Sequence, residues 1–193
     1  MPKVYSRSIW FGEIDQALYD LIKNTVYYVD DNGEAQFVEP CFPLNEEDLK
    51  KLSSPTVMIR SMEDTFDLFR YDDRPVVVSR TEDEVTIEDS AKPYSLYYQL
   101  EFLSFYREDL NLITKLWLAK VPKRYMLDVV DSGGSPQKCY MLQTGQARHL
   151  NEYIGENKLF RCVIPYKIEA LLDEGVSITK KIAKQVKLDS NNL

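Results

Sequence analysis

Apolar residues return at two different periods along this chain, and the changes of period mark its elements. In GEIDQALYDLIKN, Ile14, Leu18, Leu21 and Ile22 fall at i, i+4, i+7 and i+8, the stripe of an amphipathic helix that lies on a sheet. SPTVMIRS alternates instead, with Val57 and Ile59 facing one way and Met58 and Arg60 the other, so it reads as a strand. Two further β-rich pieces, 75–79 and 85–87, bracket a polar turn at 80–84 and form an extended hairpin. The aromatic-rich run PYSLYYQLEFLSFY also alternates. Leu96, Tyr98, Leu100, Phe102 and Tyr106 share one face, which belongs to the core, while Ser95, Tyr97, Gln99 and Glu101 share the exposed one.

At Arg107 the period switches. Leu110, Ile113 and Trp117, with Leu116 beside them, are spaced for a helix that ends before Pro122, because the residue preceding a proline is pushed out of the α region. Segments 125–130 and 138–143 flank DSGGSPQ and predict a second hairpin. A last strand spans 159–170, and Pro165 inside it, which cannot donate to a ladder, predicts an edge or a bulge. Between the first helix and the first strand, residues 27–54 read as a turn-rich connection, with turn chemistry at DDNG and a short helix at 45–52 capped by Asn45. In SITKKIAKQVKLDS, Ile178, Ile182 and Val186 make a narrow helical stripe among lysines, a helical tail that orders on a partner. The fold class that follows is α/β (α+β): a single mixed, mostly antiparallel sheet packed by an N-terminal and a central helix, with an extended hairpin. Residues 1–175 form one domain and 176–193 the tail.

Composition narrows the function more than the fold. The chain has 193 residues, 44% apolar and 28% charged, which suits one domain with a proper core. Its N-terminus lacks the charged-then-apolar pattern of a secretion signal, and no run approaches a membrane span, so a soluble intracellular protein is expected. Cys41, Cys139 and Cys162 are odd in number and widely spaced, against a disulfide framework or paired zinc ligation; Cys139 and Cys162 sit in apolar strand runs as small hydrophobes. The formal charge of −7 opposes nonspecific binding to duplex DNA by the whole surface.

Candidate chemistry is sparse. His149 is the only histidine, which removes any histidine-rich metal site and leaves a nucleophilic dyad with a cysteine without local support. The DSGGS loop joins two strands and does not open onto a helix N-terminus, so it lacks the physical reason for binding phosphate. From Met62 to Ser90 there are ten acids and three arginines, an excess equal to the charge of the whole chain. No DxDxDG loop orders these acids around a metal, and they read as a solvated hairpin face or a surface held beside nucleic acid or matched to a basic partner. The aromatic strand lacks the basic groove of a single-strand binder. Core and interface packing is the better account, with Tyr94, Tyr97, Phe105 and Trp117 as contact candidates.

In order and pattern, SPTVMIR after a proline, the junction PYSLYYQLEFLSFYREDLNLITKLW and the strand LFRCVIPYKIEA resemble the tail-terminator or tail-completion (neck) proteins of tailed bacteriophages, across roughly residues 12–170. The resemblance implies a structural virion protein, made in the host cytoplasm, with no catalytic residues, no cofactor and no membrane contact. It implies a ring of identical copies, commonly six, that ends tail assembly and touches the tail tube or sheath and the head connector. A closing ring needs two different patches per subunit; the aromatic sheet and the acidic hairpin differ in kind, and Asp72, Asp73 and Arg74 join the contact candidates. DNA is expected to pass nearby without specific binding. A baseplate or adaptor subunit is the alternative, followed by a carboxylate-dependent metal nuclease using the acids between Glu63 and Asp89.

Overall fold

A computed structural model describes residues 4–5, 11–30, 32–43, 54–68, 70, 74, 76–81, 84–88, 92–130, 134, 136–154, 157–172 and 176–181. The chain runs β1 (Val4–Tyr5), α1 (Phe11–Thr25), β2 (Tyr27–Val29), β3 (Ala35–Phe37), β4 (Pro40–Cys41), β5 (Thr56–Phe66), β6 (Val76–Arg80), β7 (Glu84–Glu88), β8 (Lys92–Ser104), α2 (Arg107–Lys120), β9 (Arg124–Val130), β10 (Pro136–Gln143), β11 (Arg148–Ile154), β12 (Asn157–Leu172) and β13 (Val176–Lys181). It is an α+β fold. The main sheet has the order β4-β5-β8-β12-β10-β9, with β11 also paired to β12, and only the β4–β5 pair is parallel.

Both helices lie on one face of this sheet. Helix α1 buries Ile14, Leu18 and Ile22, one turn apart, and ends where the Val26 amide closes on the Ile22 carbonyl. Helix α2 buries Leu110, Ile113 and Trp117, and the Val121 amide donates to the Trp117 carbonyl just before Pro122. These residues meet Val57 and Ile59 of β5, the even residues 96–102 of β8, Leu127 and Val129 of β9, and Cys162 to Ala170 at even positions of β12 in one core. The even face of β8 is buried as its alternation predicts, except that Tyr106 lies beyond the strand and is 67% exposed. The strand ends at Ser104, so its two-residue period no longer governs Tyr106.

A hydrogen bond fastens α1 to the sheet: the Tyr98 hydroxyl donates to Asp15 Oδ1 at 2.8 Å. Burial raises the Asp15 carboxyl above its ordinary pKa, and the Tyr98 hydrogen bond only partly offsets this. A carboxyl raised in the folded state favours folding at low pH, and that contribution is lost as the pH rises through the folded value. Asp15→Asn keeps an oxygen to accept from Tyr98 and removes the charge. It should raise unfolding stability at pH 7 by less than about 1 kcal/mol, discounted because the carboxyl is half exposed. Urea unfolding should show that gain fading as the pH falls through the raised folded value and gone below about 4, where Asp15 is protonated in either state.

Two expectations change in the second half of the chain. Pro165 sits at neither an edge nor a bulge, because β12 is a central strand paired with β8 without interruption from Phe160 to Leu172. On its other side, β10 pairs up to Tyr166 and β11 begins at Val163, so the missing N–H falls in the gap between them. The Pro165 carbonyl still accepts from the Thr144 amide at 3.0 Å. The connection crosses so closely that a Cβ on Gly145 would stand 2.9 Å from Pro165 Cγ, which is why glycine occupies the crossing. The predicted helical tail is also corrected, since residues 176–181 form β13, antiparallel to both β7 and β1. Val176, Ile178 and Thr179 are β-branched and suit a strand, and two paired neighbours outweigh a narrow helical stripe. Residues 182–193 lie outside the described residues.

The hairpin expected from 75–79 and 85–87 forms as β6 and β7, within a four-stranded sheet of order β1-β13-β7-β6. The 125–143 hairpin forms as β9 and β10, with Gly134 at φ 80° in its loop. In the 27–54 connection, the expected turn closes a two-stranded ribbon of β2 and β3, with Gly33 at φ 82° and Asp30 Oδ1 accepting from the Asn32 and Glu34 amides. The short helix expected at 45–52 lies outside the described residues.

Candidate subunit interface

With α1 and α2 on one side, the opposite face of the main sheet carries no helix among the described residues. Its rows follow from register. Met126 of β9 stands opposite Tyr140 of β10, which stands opposite Glu169 of β12, then Ser95 of β8 and Thr65 of β5. Two residues further along β12, Leu171 points to the same face. Met126, Tyr140 and Leu171 are 42%, 38% and 57% exposed and border a groove of about 380 Å³ that also takes in Arg70, Lys138 and Glu169.

Ionic pairs tile the polar positions around this strip. Glu169 receives Lys167 Nζ at 2.8 Å and Arg70 Nη1 at 3.4 Å, and Arg70 also meets Asp67 at 2.6 Å. Lys138 and Asp128 pair across the β9–β10 ladder at 3.7 Å. At the other end of the same face, Met58, Leu103 and Leu159 form a small buried cluster with Cys41 and Phe105 packed against it. Beside that cluster Glu101 is fully buried, with Arg60 Nε 2.9 Å from one carboxylate oxygen and Arg161 Nη2 2.8 Å from the other. The sequence assigns Glu101 to an exposed face, and the structure corrects this: the carboxylate is buried because two guanidinium groups from the neighbouring strands neutralise it.

The contact candidates named from the sequence scatter. Tyr97 is half-buried on the helix-free face, and Phe105 packs beside its small cluster. Tyr94 points to the helix side and packs edge-on to Phe11 and against Phe66, ring centroids 6.4 and 5.5 Å apart. Trp117 is wholly buried and has no surface to offer, a correction set by its place in the α2 stripe. Its ring packs against Phe102 and Tyr166, and its indole N–H donates to the Tyr166 hydroxyl at 2.8 Å. Burial pushes the Tyr166 pKa up to about 12, with the indole bond pulling the other way. Arg74 is exposed, and Asp72 and Asp73 lie outside the described residues. Met126, Tyr140 and Leu171 escaped the sequence reading; the period-2 spacing of Met126 and Val130, and of Tyr140 and Leu142, was their only signal.

Little reactive chemistry assembles among the described residues. No three acid, histidine or cysteine side chains converge as a metal site there. His149 stands opposite Cys162 across the β11–β12 ladder, a proximity the sequence did not reveal. The imidazole is exposed, while the thiol is fully buried and its pKa is raised by that burial, which suppresses the thiolate a nucleophile needs. Burial likewise pushes the Cys139 thiol up to about 11. No described helix is long and apolar enough to cross a membrane. A scan against protein-family models finds no match to this chain, and a search of curated proteins finds none.

Proposed function

We propose that this chain is a structural virion subunit that packs against copies of itself through the helix-free face of its main sheet. The copies close a ring at the end of a bacteriophage tail tube, which stops tail growth and meets the head connector. The observation that carries this reading is the row of Met126, Tyr140 and Leu171, large side chains exposed on a sheet face that no described element covers and ringed by paired charges. Aromatic and methionine side chains inside a polar rim are the composition of protein interfaces, and a sheet normally buries such a face against a second layer. The four-stranded sheet that holds the β6–β7 hairpin is different in kind and supplies the second patch that a closing, head-to-tail ring requires.

The test is mass in solution by analytical ultracentrifugation, alone and with purified tail tubes, for the natural chain and for Tyr140→Asp with Met126→Asp. The natural chain should form a discrete closed oligomer, free or on the tube. The double variant should lose at least about tenfold in association while keeping its far-ultraviolet circular dichroism. A chain that stays monomeric under both conditions overturns the reading, and so does a variant that assembles as well as the natural chain.

A further inference from the structure

On the helix side of the sheet, the first turns of α2 stand beside β11 and the first residues of β12. The cleft between them has a volume of about 250 Å³. Arg107 and Asn111, one turn apart, border it from the helix; His149 and Asn151 border it from β11, and Lys158 from β12. Register shows why these meet: Asn151 pairs with Phe160 and Tyr153 with Lys158, so residues 149, 151, 158 and 160 share one sheet face. Arg161 also borders the cleft, with its guanidinium engaged by Glu101.

The charge of this cleft runs against that of the molecule. A chain with formal charge −7 gathers Arg107, His149 and Lys158 around one concavity whose lining contains no carboxylate among the described residues. Lys158 Nζ stands 5.0 Å above the Phe160 ring, a contact that orders the ammonium without neutralising it. With no carboxylate among the described lining residues, the like charges of Arg107 and Lys158 repel one another, a cost that an anion in their midst relieves. Two carboxamides, Asn111 and Asn151, add neutral donors of the kind that orient a ligand rather than hold it by charge alone.

From this we infer that the cleft is an anion site for a phosphate group carried on a nucleotide or a nucleic-acid strand. Arg107 and Lys158 supply the charge, and Asn111, Asn151 and His149 supply hydrogen bonds. The volume is below the roughly 300–1,000 Å³ of sites that enclose a whole drug-sized ligand, and it suits a phosphate with its attached sugar. The inference is independent of ring formation, since the cleft lies on the face opposite the proposed contact strip.

Because His149 is the only histidine, its imidazole signals in a nuclear magnetic resonance spectrum report on the cleft without assignment of the rest. Inorganic phosphate, adenosine monophosphate and a short single-stranded oligonucleotide are titrated into the full chain and into Arg107→Gln with Lys158→Gln. Phosphate should shift the imidazole signals saturably, and the double variant should bind at least about tenfold more weakly with unchanged circular dichroism. If the nucleotide binds tighter than phosphate and the strand no tighter than the nucleotide, the source is a free nucleotide. If the strand binds tightest and its affinity falls steeply with salt, the source is the strand backbone. Absence of a saturable shift with all three probes overturns the inference, as does a double variant that binds like the natural chain.

Discussion

Trp117→Ala is expected to lower the free energy of unfolding by about 3–5 kcal/mol, without any direct effect on association between subunits. The indole is fully buried where α2 packs on β8 and β12, in ring contact with Phe102 and Tyr166. Truncation leaves a cavity that a sheet and a helix on either side cannot collapse to fill. It also strips the Tyr166 hydroxyl of the donor at 2.8 Å, leaving a buried oxygen with one partner fewer. Trp117→Phe separates the two losses, because it retains most of the apolar volume while removing the N–H. It should cost about 1–3 kcal/mol, the range for an orphaned buried polar group. Urea unfolding of both variants measures this. A contact residue would behave in the opposite way, with stability unchanged and self-association weakened, and that pattern would return Trp117 to the surface.

The elements legible in the sequence are those whose stripe has one buried side and one wet side. Helix α1 shows this in Ile14, Leu18 and Ile22, and α2 in Leu110, Ile113 and Trp117. The α2 stripe already holds the core answer for Trp117: a residue in phase with Leu110 and Ile113 faces what they face. The even side of β8 was equally legible. Its odd side was not, because a period-2 reading equates polar with wet. Glu101 breaks that equation through Arg60, 41 positions away in sequence, and Arg161, further still. Partners that remote are set by register, and register is a property of the assembled sheet.

The same limit explains Pro165 and the C-terminal segment. A proline forbids one hydrogen bond, and the sequence does not say that two different strands would share that side of β12 and leave a gap there. In 176–181 a helical spacing and a β-branched composition coexist, and the available edges of β7 and β1 settle the competition. Neither the exposed strip of Met126, Tyr140 and Leu171 nor the cleft of Arg107, His149 and Lys158 is local in sequence. Each is assembled from three elements, so only the fold brings its members together.

Glu101→Ala should destabilise the chain by about 3 kcal/mol, the low end of the 3–5 kcal/mol seen when one member of a buried ion pair is removed. The low end applies because Arg60 is 39% exposed and Arg161 21%, so water screens part of the charge left behind. The carboxylate is what allows two guanidinium groups to lie on β5 and β12 with one strand between them; without it they repel across β8. Replacing all three by apolar residues of similar volume, Arg60→Met with Glu101→Leu and Arg161→Met, should restore stability to within about 1 kcal/mol of the natural chain, since a desolvated ion triad and a packed apolar one are close in energy. Chemical denaturation of the single and triple variants decides between a triad that stabilises and one that merely balances its own charges. If Glu101→Ala proved neutral, the two arginines would be finding solvent elsewhere, and the burial of this face would be looser than its geometry indicates. If the triple variant folds stably and yet no longer self-associates, the triad's charge belongs to the subunit contact on the same sheet face, which would join the two ends of that face into a single interface.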